Sequence, residues 1–294
     1  MELAEENLDE HHLDEREVVD VVVRFAGDSG DGMQLTGNNF TEATALYGND
    51  LSTFPDFPAE IRAPVGATFG VSAFQIYFGA EDVTTAGDAL DVLVAMNPAA
   101  LKANIDDLKV GGTIIVNEDA FTEQGFKKAG LTGDPLPGYG TDYQIVKAKI
   151  TEQTKKVLEE VELDTKSKAR CKNFYALGMT YFMFSRDLAP TLAWIKSKFE
   201  NNKILIEANS LALKAGHNFA ETIEVSSSAA QVLRAPQTPG VYRQISGNVA
   251  LAWGLMFAAQ RAEVELFLGS YPITPASDIL HELAKHKNFR EKTF

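Results

Sequence analysis

Val18-Val19-Asp20-Val21-Val22-Val23-Arg24-Phe25-Ala26 is a β-branched run of the kind buried on both faces of a parallel sheet. Gly27-Asp28-Ser29-Gly30-Asp31-Gly32 follows as a tight turn, then an amphipathic stretch from Met33 to about Leu46 that Gly48 ends. Strand, glycine turn and helix in that order predict an α/β fold. Further strands are expected at 73–78, 91–96, 113–117 and 143–150, with a helix at 99–108 between two of them. Residues 152–161 and 169–200 turn mainly helical, and 204–215 close the first domain. Alternating elements of this kind imply right-handed crossovers.

Residues 223–245 change character, with Ser226-Ser227-Ser228 and Ala235-Pro236-Gln237-Thr238-Pro239-Gly240 reading as a linker. A second unit starts near Ser246 as a helix, a short buried strand Val264-Glu265-Leu266-Phe267-Leu268, a turn at Thr274 and another helix from Ser277. So few elements cannot bury a sheet, which leads to the expectation that the functional form is longer.

The length of 294 residues suits about two domains. A hydrophobic content of 45% with 23% charged residues is that of a globular protein rather than a disordered one. No apolar run is long enough for a membrane span, and no secretory signal opens the chain, so a cytoplasmic protein is expected. The charge of −14 is uneven: residues 1–20 carry nine acids and one arginine, leaving −6 for the rest. Residues 1–17 read as a solvated acidic lead-in. No basic stripe exists for nucleic acid. A single cysteine, Cys171, rules out an internal disulfide or a cysteine-built cluster within this sequence. Its flanking cations point elsewhere from a helix, so it reads as an inert, half-buried thiol.

The turn at Gly27, Gly30 and Gly32 has the strand-to-helix context of a dinucleotide fingerprint, but the spacing is G-x-x-G-x-G. Its acids also oppose a diphosphate. At ~5 Å and an effective dielectric near 20, each carboxylate costs about 3 kcal/mol against one phosphate charge. A helix N-terminus returns only about 0.3–1 kcal/mol. The simplest reading is a tight turn whose aspartates cap the next helix. Asn97, at the carboxyl end of a strand, is a site candidate by position. Glu60 and Arg62 lie in a proline-bounded loop over 54–70, where they either pair with each other or meet a ligand; Arg62 suits a carboxylate or phosphate. In Tyr271-Pro272-Ile273-Thr274-Pro275, each proline pushes its predecessor out of the α region. Thr274 is thus expected to be extended ahead of a helix with free N–H groups, as a plain N-cap or as a ligand contact.

Tyr271-Pro272-Ile273-Thr274-Pro275 resembles the motif that opens the pyrimidine-side domain of the thiamine-dependent 2-oxoacid:ferredoxin oxidoreductases. Gly247-Asn248-Val249-Ala250-Leu251-Ala252-Trp253-Gly254 is similar to a helix of that domain. Arg24 to Met33 and Phe57-Pro58-Ala59-Glu60-Ile61-Arg62-Ala63-Pro64 resemble the family's γ domain. The order is similar to the α subunit of the 2-oxoglutarate type, and the resemblance spans roughly residues 19–294. It implies a γ-type, mostly parallel sheet domain at 18–222, a linker at 223–245 and the first elements of a pyrimidine-side α/β domain at 246–294.

In that family, 2-oxoacids such as 2-oxoglutarate are decarboxylated, electrons pass singly to ferredoxin and coenzyme A takes the acyl group. The resemblance implies that Thr274 contacts the substrate carboxylate and the thiazolium region, with Tyr271, Pro272 and Ile273 beside it. It implies an active-site-facing role for Arg62 and Glu60, and a glycine turn that approaches a neighbouring active site. Thiamine diphosphate with Mg²⁺ and a [4Fe-4S] cluster would sit mainly on a β subunit, in an (αβ)2 assembly inactive without it. The family's γ domains usually carry small or amide residues where Asp28 and Asp31 stand, which weighs against nucleotide binding there. Two other readings are a docking or regulatory α/β module without chemistry, and a nucleotide-binding oxidoreductase domain.

Overall fold

The computed structural model describes residues 16–57, 70–223 and 230–286. Glu60, Arg62 and most of the acidic lead-in lie outside the described residues; Arg16 and Glu17, the last of that lead-in run, sit in strand β1 (Arg16–Val18). The protein divides into two compact units, the first ending at Gln237 and the second beginning at Thr238.

In the first unit, β2 (Asp20–Asp28) lies inside the sheet, with Val21–Val23 and Phe25–Gly27 buried. Its odd residues Val21, Val23 and Phe25 join one core, while Val22 and Ala26 join the other. That two-sided burial is why the sequence shows a continuous apolar run instead of alternation. After β2 come α1 (Met33–Tyr47), β3 (Asp50–Asp56), β4 (Val71–Gly79), β5 (Leu90–Ala95), α2 (Pro98–Asn104) and β6 (Leu108–Asn117). Two short helices, α3 (Glu123–Lys128) and α4 (Leu136–Tyr139), lead to β7 (Gln144–Ala148). The sheet order is β3-β4-β2-β5-β6-β7. β2, β5, β6 and β7 run parallel, while β4 is antiparallel to both β2 and β3.

The remaining helices are α5 (Ile150–Val157), α6 (Thr165–Arg170), α7 (Lys172–Met183), α8 (Ala189–Lys198) and α9 (Lys203–Thr222). Together with α1 they cover the larger core. Phe40 of α1 is its centre, with Phe25, Phe78, Tyr181 and Phe184 at centroid distances of 5.6, 5.7, 5.9 and 5.8 Å. Tilted and edge-on aromatic pairs of this kind contribute about 0.5–1.5 kcal/mol each beyond their buried area. Cys171 is buried and burial pushes its thiol up to about 11, in keeping with an inert thiol.

β3 departs from the expected loop over 54–70. Its sequence carries Pro55, which a strand tolerates at a sheet edge, where β3 lies. The expected linker also holds a strand, β8 (Ala230–Val232), parallel to β1. Asn49 fixes this segment by donating to the Leu233 carbonyl at 2.6 Å and accepting from Arg186 Nη2 at 2.6 Å. Arg186 is only 3% exposed and stacks 4.2 Å from the Tyr47 ring centroid, and burial brings its pKa down to about 10.

The second unit contains α10 (Gly247–Ala262) and α11 (Ser277–Lys285). The strand expected at 264–268 does not form; only Leu266 makes a bridge, while Val264 and Phe267 are exposed. β-branched and aromatic residues do not make a strand without a neighbouring ladder to join. The small core of Ala252, Met256 and Leu283 is tied by Glu282, which accepts from Trp253 Nε1 at 2.9 Å and Lys285 Nζ at 2.8 Å.

Candidate functional site

In open α/β sheets, ligands bind beyond the carboxyl ends of parallel strands, where successive connections leave in opposite directions. Here that point lies between β2, whose chain leads to β3 at one edge, and β5, whose chain leads to β6 on the other side. The residues there are Gly27-Asp28 and Met96-Asn97.

The turn is shaped by sterics at two glycines. A Cβ on Gly27 would lie 3.0 Å from Asp31 Oδ2 and 3.2 Å from Met96 Cβ. Gly32 has φ of 78°, and a Cβ there would meet Asn173 Nδ2 at 2.6 Å. Gly30 has open space around it.

The aspartates do not cap α1, as the sequence suggested. Gly32 is the N-cap, with no side-chain cap bond. Asp31 instead folds back, accepting the Asp28 N–H at 3.2 Å and pairing with Lys172 Nζ at 2.8 Å. Its carboxylate therefore covers Gly27, where a diphosphate would need backbone N–H groups, so the geometry weighs against the nucleotide reading.

Asn97 is committed at both ends of its amide. Its Oδ1 caps α2 through the Ala100 N–H at 2.9 Å, and its Nδ2 donates to Asp28 Oδ1 at 2.9 Å. Asn117, which ends β6 as Asn97 follows β5, is 1% exposed and holds Thr151 by its N–H at 3.2 Å. Beside it a cleft of about 380 Å³ is lined by Asn117, Asp119, Thr151, Glu152, Lys155 and Lys172. Sequence reasoning missed this cleft, because α5 and α7 reach the sheet edge only through tertiary packing. The one available signal was a polar Asn terminating an apolar strand.

Burial and the neighbouring Asp31 raise the Asp28 pKa above its ordinary 3.8, against the opposing hydrogen bond of Asn97 and the charges of Lys172 and Lys128. A carboxyl whose folded pKa is raised favours the folded state only while protonated. Its penalty enters as pH climbs past 3.8 and is complete above the folded pKa. Asp28→Asn keeps the acceptor for Asn97 and removes that penalty. The carboxyl is partly desolvated against Asp31 and Asn97, but the residue as a whole is solvent-exposed, so solvent screening should hold the gain to about 0.5 kcal/mol at neutral pH. Urea titrations of both proteins at pH 7 and at acid pH measure it; a gain that persists below pH 3.8 refutes this origin.

In the second unit, Tyr271, Ile273 and Thr274 are exposed, Tyr271 at 77%. The Thr274–Pro275 bond is cis. Thr274 is not the N-cap; it lies in a turn, and α11 starts at Ser277 with Ala276 at the cap position. The first N–H groups are not free either. Ser277 donates to the Ile273 carbonyl at 3.0 Å, Asp278 to that of Pro275 at 3.1 Å and Ile279 to that of Ala276 at 3.2 Å. The helix end is thus no anion cradle, and the expectation built on it fails because the turn closes on itself. Asn248 Nδ2 donates to the Pro275 carbonyl at 3.0 Å, tying the turn to α10. Among the described residues, the Thr274 hydroxyl has no partner and stands open.

Residues 22–219 match the family model of pyruvate ferredoxin/flavodoxin oxidoreductases. The chain is 52% identical over 282 residues to the 2-oxoglutarate oxidoreductase subunit KorA of Mycobacterium tuberculosis, covering 96% of this chain and 43% of that one. It is 33% identical over 103 residues to the 2-oxoglutarate synthase subunit KorC of Methanothermobacter marburgensis, covering 34% of this chain and 52% of that one. The 2-oxoglutarate:ferredoxin oxidoreductase of Magnetococcus marinus, solved with 2-oxoglutarate, coenzyme A and succinyl-CoA bound, superposes with a TM-score of 0.68 at 25% identity. That match covers 92% of this chain and 42% of the other, so the chain spans less than half the length of the long relatives it matches.

Proposed function

The chain belongs to the pyruvate ferredoxin/flavodoxin oxidoreductase family, and from that membership we propose that it serves as α-subunit sequence of a coenzyme A-dependent 2-oxoglutarate:ferredoxin oxidoreductase. The observation that carries this reading is the 52% identity over 96% of the chain to KorA. In this proposal the first unit is the γ-type domain and the second contributes to the pyrimidine-side domain. A β subunit completes the active site, and ferredoxin accepts the electrons.

Thiamine diphosphate, when bound, supplies the nucleophilic carbon that makes decarboxylation of a 2-oxoacid feasible. The residues of the second unit fit one edge of such a site and not its anchor. The Thr274 hydroxyl is open to donate to the substrate carboxylate, whereas the α11 amides are already committed. No group of three or more His, Cys, Asp or Glu side chains gathers among the described residues to hold Mg²⁺. In this proposal the diphosphate, its metal and the iron–sulfur cluster sit mainly on the β subunit, as the family resemblance implies. Tyr271 and Ile273 flank Thr274 and would shield the substrate from water once the partner packs on them.

The test is co-purification with the candidate β subunit, followed by coenzyme A-dependent reduction of a one-electron dye. The expected result is a stable complex active with 2-oxoglutarate and poorly active with pyruvate. A folded protein that binds no β subunit and supports no activity with either acid would leave a docking module in its place.

A further inference from the structure

The turn that carries Thr274 has little of its own to hold it in place. Residues 271–276 are all exposed, so side-chain packing does not fix where the turn stands. Its backbone bonds are local: Ser277 donates to the Ile273 carbonyl and Asp278 to that of Pro275, which shapes the turn without joining it to another element. Ser277 Oγ also reaches the Ile273 carbonyl, at 3.1 Å. Among the described residues, a single hydrogen bond links residues 271–276 to α10. It runs from Asn248 Nδ2 to the Pro275 carbonyl at 3.0 Å.

Asn248 is placed for that contact. With Ala252 and Met256 it occupies positions i, i+4 and i+8 of α10, one face of the helix. Ala252 and Met256 pack with Leu283 of α11 in the small core. One turn nearer the N-terminus, where an apolar side chain would continue that seam, the sequence has an amide. Helix capping does not account for it, because Ser246 is the N-cap and its Oγ accepts from the Val249 N–H at 3.4 Å. α10 is itself anchored to α11 where Trp253 donates to Glu282 at 2.9 Å. The Asn248 amide therefore ties a fixed helix to a turn that nothing else locates. Its acceptor belongs to the residue directly after Thr274, so a shift of the Pro275 carbonyl carries the Thr274 hydroxyl with it.

Resting on the reading of Thr274 as a substrate contact, we propose that Asn248 is a positioning residue for the decarboxylation. It acts through Thr274, holding the Pro275 carbonyl so that the hydroxyl stands where the substrate carboxylate arrives. Small misplacements of such a group cost rate, because the bond it makes depends on both distance and angle.

The test is a double-mutant cycle in the β-bound complex, read as kcat/KM for 2-oxoglutarate. Asn248→Ala is expected to lower it about three- to tenfold, the scale of one neutral hydrogen bond. In the Thr274→Ala background the same change should cost nothing further, since no hydroxyl remains to be placed. Asn248→Asp keeps the shape and loses the donor. An acid in the first turn of a helix is favourable, so its urea midpoint should hold or rise while its rate falls. A purely structural asparagine would instead make rate follow midpoint. Equal kcat/KM for Asn248→Ala and wild type, with Thr274→Ala impaired, overturns the proposal and leaves the Thr274 reading standing. Losses that add across the cycle also overturn it, because they put Asn248 on a separate route. If Thr274→Ala is itself unimpaired, the reading of the site fails and this proposal falls with it. Should Asn248→Ala not bind β, Asn248→Asp in both backgrounds decides the same questions.

Discussion

Replacing Gly216 with alanine is expected to cost the first unit about 3 kcal/mol, a large part of the 5–15 kcal/mol that holds an ordinary domain together. Helix propensity argues the opposite, because glycine inside α9 is about 1 kcal/mol worse than alanine. Sterics decide the sign. A Cβ on Gly216 would stand 1.9 Å from the Tyr175 carbonyl oxygen, and one on Gly178 would stand 2.0 Å from that of Leu213. The two glycines face one another's helix at the α7–α9 crossing, and each obstacle is backbone, which cannot rotate away. Relief requires the helices to separate, loosening Tyr175, Ala212 and Leu213 in the main core. Urea unfolding followed by far-UV circular dichroism should show a much lower midpoint for Gly216→Ala. Gly30→Ala, where nothing lies within 4 Å, should leave the midpoint unchanged. Equal midpoints for wild type and Gly216→Ala would remove the close crossing as a determinant of stability.

The same contrast between local pattern and tertiary contact explains what the sequence disclosed. β2, the turn and α1 were legible because a β-branched strand, two demanding glycines and the terminator Gly48 each act over a few residues. β3 was not legible, since Pro55 signals a loop unless the strand is known to lie at an edge. The apolar run around Leu266 was read as a strand for the converse reason: pattern cannot say whether a ladder is present to receive it. At the glycine turn the types of residue were informative, but their partners were not. Asp31 looked like a cap and pairs with Lys172, which stands 141 residues later at the start of another helix. Thr274 was singled out by its prolines and by family resemblance, while the closed turn and committed amides needed coordinates.

For Thr274 itself, the β-bound complex carrying Thr274→Ala is expected to turn over 2-oxoglutarate about one to two orders of magnitude more slowly than wild type. A hydroxyl bonded to a carboxylate contributes about 1.5–3 kcal/mol, and each 1.36 kcal/mol is tenfold in rate. The fold supplies the control that makes this interpretable. Thr274 is exposed, its hydroxyl caps nothing, and the turn is held by backbone bonds and by Asn248, all of which alanine preserves. Stability and β association should therefore stay within about 0.5 kcal/mol of wild type, as for a surface substitution. Thr274→Ser restores a donor at the same place and should recover most of the rate. If the bond strengthens as charge redistributes in the transition state, kcat falls with little change in KM; a uniform contact raises KM alone. Unchanged turnover in Thr274→Ala would separate Thr274 from the substrate. A loss that serine fails to rescue would point to the methyl group, and so to packing against the partner in place of a hydrogen bond.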